Sequence, residues 1–156
     1  MKDKKREEYA MTKMIFVNLP VADLAKSMDF YTALGFTNEP RFTDDTAACM
    51  VWSESIFVMI LTHDKWRQFT QRPIPDKGSS ELSLALTSDS RDAVNAMTDT
   101  AAAMGGTADV NPAQDHGFMF SRSFTDPDGH VWEPMWMDPA VASGDAPVPE
   151  VTLPEV

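Results

Sequence analysis

One pattern of apolar spacing occurs twice along this chain, and it leaves few folds open. The first copy starts with a short apolar run, Met14–Leu19. Asp23 follows, a suitable N-cap because its carboxylate accepts from first-turn N–H groups that lack an intrahelical partner. Leu24, Met28, Tyr31 and Leu34 recur at helical spacing, and Gly35 suits the position after a helix C-terminus. Strand-like segments then lie around Phe36–Phe42, Ala47–Ser53 and Ile56–Leu61.

The second copy repeats this order. Glu81–Leu86 reads as a strand, and Asp89 or Ser90 caps a helix with Ala93, Met97, Ala101 and Met104 on one face. Gly105 and Gly106 end it, and strand-like segments lie near Thr107–Val110, Phe118–Phe124 and His130–Met137. Asp126-Pro127-Asp128-Gly129 joins the last two: proline presets φ and glycine accepts positive φ, a hairpin signal. Between the copies, His63–Gln71 reads as a short helix and Arg72–Ser80 as a Pro/Gly linker.

The predicted architecture is therefore α+β: two βαβββ modules, about 14–61 and 81–137, sharing one curved mixed sheet with helices on its outer side. The domain spans 13–137. Residues 1–12 read as a flexible charged arm, and 138–156 as an extended acidic tail, because proline blocks helix and central-strand pairing.

Alternation along each strand assigns the faces. Leu82, Leu84, Leu86, Val58, Ile60, Trp132 and Trp136 belong under the helices. The concave side then receives Phe16, Asn18, Phe57, Met59, Leu61, Glu81, Ser83, Glu133 and Met135. An apolar cup holding two carboxylates has the general form of a small-molecule site. The alternative for Glu81 is a solvated strand end, and for Glu133 a rim position.

Composition narrows the partners. A net charge of -11 repels nucleic-acid phosphate and anionic membrane surfaces, so neither is expected as a partner. No apolar run is long enough to span a bilayer, and no signal-like segment follows the charged start. With one cysteine, Cys49, no intrachain disulfide can form, and a reducing cytoplasm is the expected setting.

The segments FVNLPVADLAKSMDFYTALGF (Phe16–Phe36) and FTDPDGHVWEP (Phe124–Pro134) resemble the opening strand–helix and closing hairpin of the vicinal oxygen chelate superfamily, the glyoxalase, bleomycin-resistance and dioxygenase group. The nearest likeness is to small bacterial lactoylglutathione-lyase-like proteins. In metal-dependent members, the resemblance implies ligands on the first and last strand of each module. Those positions fall here on Phe16, Met59, Glu81 and Glu133. Phenylalanine cannot coordinate and a thioether suits hard divalent ions poorly, so the expected cofactor is none or a weakly bound divalent metal.

Two functions are carried forward. One is an enzyme of the lyase, isomerase or dioxygenase kind, with Glu133 and His116 as acid–base groups. The other is a ligand-sequestering protein without metal. Arg122 pairs either with a substrate carboxylate or with an internal acid. His130 reads as structural. A homodimer is expected, because pairing would cover exposed strand edges and a half-open cup.

Overall fold

The computed structural model describes residues 12–153, so the expected arm at 1–12 lies almost wholly outside the described residues. The first module runs β1 (Ile15–Val21), α1 (Leu24–Ala33), β2 (Thr37–Glu39), a 3-10 turn (Pro40–Phe42), β3 (Ala47–Val51) and β4 (Ile56–Thr62). A short helix, α2 (His63–Phe69), follows. The second module runs β5 (Ser83–Thr87), α3 (Arg91–Ala103), β6 (Thr107–Ala108), β7 (Gln114–Asp115), β8 (Met119–Ser121), β9 (Phe124–Thr125) and β10 (Val131–Met137). A single helical turn, α4 (Pro139–Ala142), is the last regular element among the described residues.

The caps form where the side chains allow them. Asp23 Oδ1 accepts from the Lys26 backbone N–H at 3.0 Å, and Ser90, not Asp89, accepts from Ala93 at 3.0 Å. Gly35 and Gly105 take φ of 106° and 96°, the left-handed values that end α1 and α3.

Both modules use one strand order. The first sheet is β1-β4-β3-β2, with β1 parallel to β4. In the second, β5 is parallel to β10, and β10 pairs with β8 and β9 in one unbroken register, Trp132 opposite Phe124 and Trp136 opposite Phe120. β8 and β9 are thus one strand interrupted beside Pro134, which has no N–H to donate; the Arg122 N–H still reaches the Pro134 carbonyl at 3.3 Å.

The predicted single curved sheet is divided: among the described residues no backbone ladder joins edge strand β1 to edge strand β5. What unites the halves is a shared core. Leu19 and Val21 of β1, Phe30 and Tyr31 of α1, Leu86 of β5, Ala101 of α3, Phe124 and Trp132 form one buried cluster. The Asp126 turn locks it. Asp126 is almost wholly buried; its Oδ2 accepts from the Tyr31 hydroxyl at 2.7 Å, and the Trp132 indole donates to that hydroxyl at 3.1 Å. Asp128 accepts from Ala22 N–H at 2.8 Å, and His130 Nε2 lies 2.8 Å from the Pro20 carbonyl. His130 therefore takes the structural role expected of it, tying the closing hairpin to β1.

Two expectations need correction. Leu82 is 53% exposed rather than under a helix, because β5 begins one residue later and Leu82 belongs to the linker. The tail is not extended throughout: Asp138 caps α4, and Val141 is buried.

Candidate functional site

The strand registers settle which side chains share the open face, since partners across a ladder point the same way. Phe16 pairs with Phe57 and Asn18 with Met59, and the rings of Phe16 and Phe57 stack with centroids 4.6 Å apart. In the second module Ser83 pairs with Val131, Ala85 with Glu133 and Thr87 with Met135. The opposite face carries Val58, Ile60, Leu84, Leu86, Trp132 and Pro134 toward the helices. Trp136 also lies on that side, with the Arg91 guanidinium 5.3 Å from its ring centre.

Glu81 does not occupy the strand position expected for it. The cap of α3 is Ser90, and counting back as far as Asp23 lies from Phe16 reaches Ser83. Glu81 precedes β5 and is exposed. The four positions implied by resemblance are thus Phe16, Met59, Ser83 and Glu133, and they hold one carboxylate. Among the described residues, no three His, Cys, Asp or Glu side chains gather where they could hold a metal ion. This donor set does not fit a tightly held divalent metal, for which three protein ligands are usual.

His116 and Glu133 are not brought together either. His116 sits at the turn between β7 and β8, its backbone N–H donating to the Met119 carbonyl, and Met119 pairs with Met137. Two strand spacings and four residues along the strand separate it from Glu133, on the order of 15 Å between backbones. Its Nε2 lies 3.3 Å from the Gln114 amide oxygen instead. Glu133 is half-buried on the open face, and among the described residues it has no hydrogen-bond or ion-pair partner.

Arg122 takes the internal-acid alternative, not the substrate one. Its Nε and Nη2 donate to both Asp109 carboxylate oxygens at 3.0 and 2.8 Å, and Nη1 reaches Asn95 and Asp99 at 3.0 and 3.1 Å. The guanidinium holds the Asp109 carboxyl below its ordinary value, and the Asp109 backbone has a φ of 55°. These contacts lie on the α3 side of the sheet, away from the open face.

A concavity lies where the two sheets do not join. A cleft of about 920 Å³ opens between β1 and the start of β5. Asn18, Pro20 and Leu61 of the first module and Val131 of the second contribute from the open face. Trp66 and Phe69, one turn apart on α2, form one wall, and Arg72, Pro73, Pro75 and Ser79–Leu82 form another. Glu81, Arg72 and His130 are the titratable groups on this lining. α2 stands there because it follows β4 directly, capped by Thr62 Oγ1, and packs on β4 and β1. Sequence reasoning placed Asn18 and Glu81 at the site but missed Trp66 and Phe69. Their one-turn spacing on a short helix was the available signal.

The fold and this cleft define a class: paired βαβββ proteins with a cleft between their modules. The sequence profile of the Glyoxalase/Bleomycin resistance protein/Dioxygenase superfamily matches residues 13–133, and the chain belongs to that superfamily. Solved structures agree on the fold. A hypothetical protein from S. aureus is similar with a TM-score of 0.68 at 22% identity, covering 83% of this chain and 98% of its own. A glyoxalase/bleomycin resistance protein/dioxygenase family enzyme from Burkholderia phytofirmans PsJN gives 0.66 at 16% identity, covering 81% and 99%. The fosfomycin resistance protein FosX from Listeria monocytogenes gives 0.60 at 16% identity, covering 81% and 91%. No curated protein matches the sequence significantly. Among the described residues no helix is long and apolar enough to cross a membrane.

Proposed function

We propose that this protein binds a small, largely apolar organic molecule in the cleft between its modules and sequesters it without a resident metal. The observation that carries this reading is the cleft itself. Its volume of about 920 Å³ lies within the range of drug-sized sites, and its walls are mostly Trp, Phe, Leu, Val and Pro. The single carboxylate among the four positions where metal-dependent relatives place ligands supports the metal-free part. A solvatochromic aromatic amine, N-phenyl-1-naphthylamine, tests it: its fluorescence should rise saturably on binding. Replacing Trp66 and Phe69 together by Ala should weaken that binding about tenfold, the expected loss of one or two well-packed rings. Unchanged affinity in this variant would remove the cleft from consideration.

A second reading is favoured by Glu133, a half-buried carboxylate on the open face beside Ala85, Val131 and Met135, with no side-chain partner among the described residues. As an acid–base group there it would support a lyase-like, isomerase-like or dioxygenase-like activity, without His116 as its direct partner. Glu133→Gln should then abolish turnover of a substrate found by screening, while circular dichroism stays unchanged. The lone buried cysteine supports a cytoplasmic setting, and the exposed Phe16, stacked on Phe57, supports a homodimer.

A further inference from the structure

A second cavity of about 520 Å³ adjoins the cleft, and Ser80, Glu81, Leu82, Gly129 and Val131 line both. Its character differs. Where the cleft is lined mostly by rings, prolines and branched side chains, the second cavity sets the hydroxyls of Ser83 and Thr125, the Asn111 amide and the Lys77 ammonium beside the apolar Leu82, Val110 and Val131. The linker crosses at the junction. The Lys77 carbonyl lies so close to Gly129 that a β-carbon there would stand 2.6 Å from it. Asp76 shapes the crossing by accepting from the Gly78 N–H at 2.9 Å and the Ser79 hydroxyl at 3.0 Å.

Resting on the cleft as the binding site, we infer that the ligand is a two-part molecule: an apolar body in the cleft and a neutral, hydroxyl- or amide-rich head in the second chamber. The polar chamber's donors and acceptors face water when it is empty. An apolar occupant would strip that water and leave those groups unpaired, which opposes binding. A head that hydrogen-bonds replaces it. A net charge on the head gains little, because Lys77 and Glu81 carry opposite signs on the same lining. An anionic head is further disfavoured by the chain's charge of -11.

Amphiphiles with one tail and different heads test this on the full-length protein. Octyl glucoside, 1-octanol, octyl sulfate and octyltrimethylammonium, each below its micellar range, would compete with bound N-phenyl-1-naphthylamine. Octyl glucoside should displace the probe at about tenfold lower concentration than 1-octanol, the worth of one or two net hydrogen bonds. The double variant Ser83→Val, Asn111→Leu replaces two exposed side chains; it should bring octyl glucoside to the 1-octanol level and leave 1-octanol unchanged. Equal displacement by all four heads would overturn the two-chamber inference and leave the apolar cleft standing. Tightest displacement by either charged head would overturn the neutral-head assignment. Failure of the probe to bind at all would overturn the cleft reading, and this inference with it.

Discussion

At the residue scale, the buried turn carries the sharpest expectations. Burial raises the Asp126 carboxyl above its ordinary value, against the opposing pull of His130 and the Tyr31 hydroxyl. A folded-state value above the unfolded one gives stability that is full below the unfolded value of 3.8 and lost as pH rises through the folded value. Asp115 has the opposite sign: hydrogen bonding to Arg91 lowers it to about 2, so its contribution is present above 3.8 and lost as pH falls through about 2. Urea midpoints measured upward from pH 4 should show a component that declines with pH and vanishes in Asp126→Asn; its persistence in the variant would sink the assignment. Tyr31→Phe removes one buried hydroxyl and strands the Trp132 indole N–H, and should cost about 1–3 kcal/mol in urea unfolding. Gly129→Ala faces two obstacles, a φ of 91° and the Lys77 carbonyl at 2.6 Å from the new carbon. It should destabilise by about 1–3 kcal/mol and also displace the linker, seen as faster tryptic cleavage after Lys77.

At the element scale, α2 and the linker decide what the cleft accepts. The remaining strands supply a scaffold whose face pattern was legible before the structure. Val58 and Ile60 under helix α1, and Phe57 and Met59 on the open side, followed from alternation alone and hold in the register. The same alternation set Glu133 on the open face and Trp132 in the core. Where it failed, the cause was a boundary. Period-two spacing cannot say where a linker ends and a strand begins, so it extends β5 to Glu81 and Leu82, although both belong to the crossing segment. For metal, protein purified without chelators should contain substoichiometric zinc, nickel and iron by mass spectrometry. Stoichiometric metal lost in Glu133→Gln would return the chain to the metal-dependent branch of its superfamily.

At the scale of the whole molecule, the open face of the first sheet presents Phe16, 47% exposed and stacked on the half-buried Phe57. Edge strands and apolar open faces favour pairing of two chains. Multi-angle light scattering should give a dimer mass at micromolar concentration, and Phe16→Asp should shift the population toward monomer. A monomer mass across micromolar to millimolar concentrations would sink the dimer.

The sequence by itself determined the repeated module, the cap at Asp23, a cap at Asp89 or Ser90, the Asp126–Gly129 turn and the face of most strand residues. Each of these is a local property, set by helical or strand periodicity and by side chains bonding their own backbone. The tertiary structure alone decided which distant residues meet. Arg122 finds Asp99 because α3 lies across β8 and β9, and Asp109 because β6 pairs with β9. His116 and Glu133 share a face yet stand far apart, since face is fixed by parity whereas distance depends on strand order. The cleft belongs to neither module. It exists because a common core holds β1 and β5 near each other without a ladder, and that balance of packing has no signature in either strand.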